Sequence, residues 1–350
     1  MLRARLSVPA LVTSALLAVG ATAATAAPSA GAAASEVTPT AATATTYSRL
    51  AGANRYATSV AISKANFAPP QDFVVVASGL NFPDALGAGP FAALVQAPLL
   101  LVPPTGTLPR VVAAELDRLG TQRVVVVGGP ASVSGGMIDQ IYEHVDASGV
   151  VYQVSGANRY DTASELTIGF DPEITGVPVY LASGTTFPDA LGGGAAAGVR
   201  GGFLLLTAGT KLPAETTAAL KRVKPSAVVV LGGTGAISNG VVSAVKTAVG
   251  SGVPVTRIGG SDRFATAANV SAASFTSAKE VLLTNGLQFP DALSGSAVAR
   301  WFGGRPVLLT RKDCVPAATR AEIKRLGATK ITALGGTAMV SDAALKLKAC

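Results

Sequence analysis

The sequence predicts an α/β protein of three tandem Rossmann-like domains, each built on a parallel sheet with helices on both faces. Two observations predict this. The first is a threefold repetition within the 350 residues: Asn54-Arg55-Tyr56 returns as Asn158-Arg159-Tyr160 and as Asp262-Arg263-Phe264. Phe82-Pro83-Asp84-Ala85-Leu86 returns at 187–191 and 289–293, and a β-branched run closes each unit at Gly128-Gly129, Gly232-Gly233 and Gly335-Gly336. Arg55, Arg159 and Arg263 are 104 residues apart each time. That period is a small domain, well beyond the roughly 20–50 residues of a solenoid repeat. The second observation is an alternation of buried-strand and helix patterns inside every unit, which implies a parallel sheet covered on both faces.

The elements follow in the same order in each unit. A short strand is expected at 47–50, 151–154 and 255–258. A helix follows from about Arg55, Arg159 and Arg263. The second strand covers 73–77, 179–182 and 281–284. Phe-Pro-Asp then opens a helix, with proline in the first turn and aspartate where the helix dipole favours negative charge. A third strand is expected at 98–102, 202–207 and 306–310. Next comes a helix at 108–119, apolar at Leu108, Val111, Val112, Leu116 and Leu119. The fourth strand is an unbroken apolar run, as in Val124 to Val127 and Val228 to Leu231, and such runs mark strands buried on both faces. Ser134, Ser238 and Ser341 stand where the last helix of each unit needs an N-cap.

Composition narrows the function classes. Hydrophobic residues make up 49% of the chain, enough for a core in each unit. The formal net charge is +8. A moderately basic chain suits an anionic partner such as wall polymer, phospholipid or nucleic acid, though solubility alone also explains it. No long Lys/Arg run marks a nucleic-acid footprint, so nucleic acid is not expected as a partner. Residues 1–26 read as a secretory signal: Arg3 and Arg5, an apolar stretch from Leu11 to Val19, and a small-residue cleavage site at Ala24-Thr25-Ala26. Residues 27–45 read as a flexible Ala/Thr-rich linker. The three domains are expected at 46–149, 150–252 and 253–350. No later stretch is apolar enough to span a membrane, and no covalent tether is expected.

Cys314 and Cys350 are the only cysteines. In an exported chain they are expected to form one disulfide that staples the tail to a loop of the third domain.

The strongest site signal lies where the second strand ends and a helix begins, because ligands of open α/β sheets bind outside the carboxyl ends of the strands. Candidate ligand-binding residues there are Ser78, Gly79, Ser183, Gly184, Asn285 and Gly286. Lys211 and Arg311 join them for their charge and their place after the third strand. Asp84, Asp189 and Asp291 are expected to cap their helices and pair with the arginine of their own unit, Arg55, Arg159 and Arg263 respectively. The Gly-Gly turns permit close backbone approach, by a ligand or by a neighbouring domain. They do not fit the dinucleotide fingerprint, and no cofactor is expected. The single histidine, His144, belongs to one unit of three, and the serine of units one and two becomes Asn285. A shared catalytic triad therefore fails, no metal-ligand spacing appears, and the chain is not expected to be an enzyme.

Arg49-Leu50-Ala51-Gly52-Ala53-Asn54-Arg55-Tyr56-Ala57-Thr58, the segment 77–86 and the run 124–129 together resemble the cell wall binding repeat 2 family. The likeness covers all three units. It implies three Rossmann-like domains in a pseudo-threefold arrangement and non-covalent attachment to anionic glycopolymers of a Gram-positive wall. The family's Pro-Ile-Leu-Leu anchoring segment looks matched by Pro98-Leu99-Leu100-Leu101 and Pro306-Val307-Leu308-Leu309, whereas Gly202-Phe203-Leu204-Leu205 lacks the proline. The resemblance thus implies a secreted, wall-associated anchor or wall-organising protein. The alternatives are an accessory subunit of a wall amidase, a wall hydrolase and, more weakly, a solute receptor.

Overall fold

The computed structural model describes residues 44–170, 174–288, 290–300 and 303–350. Residues 1–43, which hold the segment read as a secretory signal and nearly all of that read as a linker, lie outside the described residues. The first repeat contains β1 (Thr46–Leu50), α1 (Arg55–Asn66), β2 (Phe73–Ser78), α2 (Phe82–Ala85), α3 (Ala88–Leu94), β3 (Leu99–Val102), α4 (Arg110–Leu119), β4 (Arg123–Val127) and α5 (Gly135–Tyr142). The second contains β5 (Val150–Val154), α6 (Arg159–Phe170), β6 (Val179–Ser183), α7 (Pro188–Val199), β7 (Phe203–Thr207), α8 (Ala214–Val223), β8 (Val228–Leu231) and α9 (Asn239–Val249). The third contains β9 (Val255–Ile258), α10 (Arg263–Ser274), β10 (Glu280–Asn285), α11 (Pro290–Ala297), β11 (Val307–Thr310), α12 (Ala317–Leu326), β12 (Lys330–Leu334) and α13 (Asp342–Leu345).

Side chains flanking the helices fix where they start. Asn54 Oδ1 accepts from the amides of Tyr56 and Ala57, Asn158 Oδ1 from Tyr160 and Asp161, and Asp262 Oδ1 from Ala265. The first residue of each Asn/Asp-Arg-aromatic motif is therefore an N-cap. Ser134, Ser238 and Ser341 cap the last helices through Met137, Val241 and Ala344.

Among the described residues all strand pairs are parallel, and they form three four-stranded sheets in the orders β3-β2-β4-β5, β7-β6-β8-β9 and β11-β10-β12-β1. The fourth strand of each sheet comes from the next repeat. Thus β5 pairs with β4, β9 with β8, and β1 with β12 at the far end of the chain. The units expected at 46–149, 150–252 and 253–350 therefore do not each hold a closed set of strands. The physical reason is connectivity. After β4 the chain runs through α5 and returns beside β4, as an ordinary β-α-β crossover does. β1 takes the equivalent edge of β12, in register from Thr46 against Lys330 to Leu50 against Leu334. Ser48 Oγ and Thr332 Oγ1 lie 2.7 Å apart across this seam.

The three helices α3, α7 and α11 each pack on the other two, which gives the chain its pseudo-threefold arrangement. Small residues permit the close approach. A Cβ added at Gly89 would clash with Ser296 Cβ, and one added at Gly194 would press on Ser296 Oγ and Pro90. These three positions are equivalent in the repeats, so they mark the axis. Each central helix also packs on the following repeat. Gly87 lies against Leu166 and Leu204, Gly192 against Ala267 and Val307, and Ser294 Oγ donates to the Leu99 carbonyl at 3.2 Å. One apolar core consequently runs through all three repeats.

Leu99, Leu100 and Leu101, with Phe203, Leu204 and Leu205, and Val307, Leu308 and Leu309, are buried in these strands. The leucine segments pointed to by the family resemblance are core here. No helix among the described residues is long and apolar enough to cross a membrane.

Candidate functional site

Of the loops between the second strand and the next helix, those of the first two repeats meet through their phenylalanines. Phe82 and Phe187 meet there edge to face, with ring centroids 5.5 Å apart. Ser78, Ser183 and Asn285 are only 1–6% exposed, and their polar atoms are used in shaping the loops. Ser78 Oγ accepts from the amides of Leu80 and Asn81, at 3.2 and 3.1 Å. Ser183 Oγ accepts from the amide of Thr185, and Asn285 Oδ1 from that of Leu287. These are side-chain turns of the kind Ser and Asn make with the backbone just ahead of them. They also explain why asparagine can replace serine in the third repeat: the shared duty is an acceptor oxygen.

Gly79, Gly184 and Gly286 are buried beneath the Asn/Asp-Arg-aromatic motif. A Cβ on Gly79 would strike Tyr56 and Arg55, one on Gly184 Tyr160 and Arg159, and one on Gly286 Phe264. In the same places Arg55 Nη1 donates to the Gly79 carbonyl, Arg159 Nη1 to Gly184 and Arg263 Nη1 to Gly286, at 2.5, 2.5 and 2.9 Å. Arginine and serine-glycine motifs of one repeat are thus one packed unit.

The aspartates behave differently from the sequence expectation. No ion pair joins Asp84, Asp189 or Asp291 to the arginine of its own repeat among the described residues, because those guanidinium groups are turned to the glycine carbonyls. Asp84 Oδ2 instead accepts from Ser132 Oγ at 2.5 Å. Asp189 bonds Thr266 and feels Arg263, both of the following repeat, and burial raises its pKa. Asp291 is pushed up to about 6 by burial, partly offset by Arg55 of the first repeat. The carboxylates of Asp189 and Asp291 therefore face across repeat boundaries.

The Gly-Gly turns complete this seam. Gly128, Gly232 and Gly335 hold φ of +112°, +94° and +99°, and a Cβ on the last two would collide with Asp189 Oδ2 and Asp291 Oδ2. Their carbonyls accept from the following repeat's first strand: Gly128 from Gln153 Nε2, Gly232 from Arg257 Nη1 and Gly335 from Arg49 Nη1, at 2.8–2.9 Å. Sequence reasoning missed Arg49, Gln153 and Arg257. The available signal was their spacing of 104 residues, masked by the change of residue type.

What remains exposed of these loops is their tips. Leu80 and Leu287 are 51% and 53% exposed, and Thr185 stands at the matching place in the second repeat. Arg311 is exposed beside the third sheet, its guanidinium 5.6 Å from the Phe264 ring centre. Lys211 lies elsewhere, in a shallow groove of about 620 Å³ between α8 and α9 lined also by Leu212, Lys221 and Val241. The structure does not bring these two cations together. His144 Nδ1 is 2.8 Å from Asp117 Oδ1, and among the described residues no hydroxyl or thiol bonds the imidazole. No cluster of three or more His, Cys, Asp or Glu suited to a metal occurs among the described residues.

The family model for Cell wall binding domain 2 matches residues 49–137, 153–242 and 257–345. This chain belongs to that family. The three matches begin at β1, β5 and β9 or a few residues inside them, so the family's repeat is the sequence unit that lends its first strand to a neighbour. The chain is 30% identical over 294 residues to the N-acetylmuramoyl-L-alanine amidase LytC of Bacillus subtilis (strain 168), covering 84% of this chain and 56% of that protein. It is 27% identical over 296 residues to the amidase enhancer of the same organism, covering 84% and 39%. The chain therefore matches about half or less of these relatives' lengths. Among solved structures, Cwp6 from Clostridium difficile superposes with a TM-score of 0.77 at 24% identity, over 86% of this chain and 49% of that one. Cwp8 from the same organism gives 0.73 at 22%, over 85% and 50%. These two likenesses establish the fold: three Rossmann-like units of this family about a common axis.

Proposed function

We propose that this protein binds a Gram-positive cell wall non-covalently, through anionic glycopolymers, and acts as a secreted surface anchor or wall-organising protein. The observation that carries the reading is the threefold match to a wall-binding domain, spread over 49–345. The buried serines, glycines and aspartates hold the repeats together, so contact with a polymer falls to the exposed loop tips and nearby cations. Such contacts are individually weak, and several on one rigid body raise retention through effective concentration. Binding is electrostatic and weakens as salt rises.

We read the chain as non-catalytic. The two recurring serines are buried and committed to turns, and His144 is bonded to Asp117. The test is sedimentation of the purified mature protein with native walls and with walls stripped of anionic polymers by mild acid. Binding to native walls alone supports the proposal, and equal binding to both moves the ligand to peptidoglycan. A second reading, accessory subunit of a wall amidase, draws on the similarity to the amidase enhancer. Its sign would be faster wall lysis by an added amidase, together with weak affinity for bare walls.

A further inference from the structure

We infer that polyanion binding is concentrated on a disulfide-held basic patch of the third repeat, formed by Arg311, Lys312, Lys346 and Lys348; this rests on the wall-polymer reading above. The repeats look alike but are not alike in charge. Residues 46–149 carry 6 basic and 7 acidic side chains, and residues 150–252 carry 7 and 6. Residues 253–350 carry 13 and 6, a net of +7. Almost all the excess charge of the chain thus sits in one repeat.

The structure gathers part of that excess in one place. The loop after β11 begins with Arg311 and Lys312, where the first two repeats have Pro103-Pro104 and Ala208-Gly209. The equivalence is structural, because the helix-capping Ser134, Ser238 and Ser341 donate their amides to Pro104, Gly209 and Lys312 respectively. The tail that follows α13 is laid beside this loop. Cys314 and Cys350 form a disulfide, Val315 pairs in parallel with Ala349, and the Val315 amide donates to the Lys348 carbonyl at 2.7 Å. All four cationic side chains are exposed. Among the described residues, the ion pairs of this repeat are Arg305 and Lys330 with Glu280, Arg325 with Glu322, and Asp342 with Arg49, and none of the four cations is in one. The one carboxylate within the loop is Asp313.

The patch stands at the carboxyl end of β11, the end of a parallel sheet at which ligands bind. Fixed cations on a staple lose less freedom on binding than cations on a loose tail. The ligand class is a linear polyanion, of phosphate or carboxylate groups.

The experiment measures binding of the full mature chain to native walls, to poly(glycerol phosphate) and to polygalacturonate, across salt. One variant replaces Arg311, Lys312, Lys346 and Lys348 by glutamine. A control replaces Lys64, Arg110, Lys224 and Lys246 by glutamine, removing the same charge from the other two repeats. The patch variant is expected to bind the walls and at least one polymer about tenfold or more weakly at low salt, with a flatter salt dependence, and the control within about twofold of the parent. Cys314→Ser with Cys350→Ser, still folded by circular dichroism, is expected to shift in the same direction as the patch variant. Equal losses in patch and control variants would overturn the assignment while leaving wall binding intact. Failure of the parent to bind walls or polymers would overturn the proposed function itself.

Discussion

The carboxylate of Asp291 lies within electrostatic reach of Arg55, which belongs to the repeat at the other end of the chain. Together with the packing of α1 on α11 and the pairing of β1 on β12, this interaction closes the three repeats into a ring. Burial outweighs the arginine's attraction and holds the Asp291 pKa near 6, against 3.8 for an ordinary aspartate. The folded state therefore keeps the proton more tightly than the unfolded state. Well below 3.8 the group is protonated in both states and its stabilising contribution is complete. As pH rises towards 6 that contribution is lost, and above it the loss amounts to about 3 kcal/mol. Asp291→Asn is expected to remove this part of the pH dependence, making stability flatter between pH 4 and 7. Urea unfolding at several pH values measures it; an unchanged profile would exclude Asp291 as the titrating group.

Gly232 and Gly233 are adjacent but unequal. Gly232 has φ of +94° and its added Cβ would meet Asp189, whereas Gly233 faces open space. Gly232→Ala is expected to cost about 2–4 kcal/mol, from left-handed backbone strain and from displacing the carboxylate. Gly233→Ala should stay within about 0.5 kcal/mol of the parent. Chemical unfolding of both variants decides it, and equal effects would contradict the packing described for this turn.

Removing residues up to 50 deletes β1. If the ring closes through β1 and β12, the damage falls on the third repeat, a chain length away. Amide exchange at β12 is expected to accelerate at least about tenfold, with smaller change at β4. Faster exchange in the first repeat alone would show that β1 serves its own repeat.

Glu115 is fully buried and takes three hydrogen bonds, one from Ser63 Oγ at 2.5 Å and two from Arg118 at 2.7 Å. Glu322, Ser271 and Arg325 repeat the arrangement in the third unit. In the second unit Ala219 stands in the glutamate's place, and Arg222 donates to Thr167 Oγ1 and the Ser164 carbonyl instead. Glu115→Ala is expected to destabilise by about 2–4 kcal/mol, since it strands Ser63 and Arg118. The double variant Glu115→Ala/Arg118→Ala should cost less than the sum of its parts, as a double-mutant cycle would read.

The sequence by itself determined the repeat, the order and type of its elements, and the serine caps of the last helices. It also determined the cysteine pair, now seen as a disulfide, and the family. Each of these is local: a periodicity, a capping residue, or a motif at fixed spacing. The tertiary structure alone decided which repeat each partner came from. A strand of four or five residues has the same alternation whichever sheet edge it joins, so nothing in Thr46–Leu50 announces β12 as its neighbour. The same holds for Asp189 and Asp291, whose electrostatic partners are Arg263 and Arg55 of other repeats rather than Arg159 and Arg263 of their own. Ser78, Ser183 and Asn285 looked like ligand residues because they end strands where ligands bind. Their burial came from the packing of Arg55, Arg159 and Arg263 with the neighbouring aromatic rings over the same loops, and side-chain packing across tens of residues leaves no signal in local pattern.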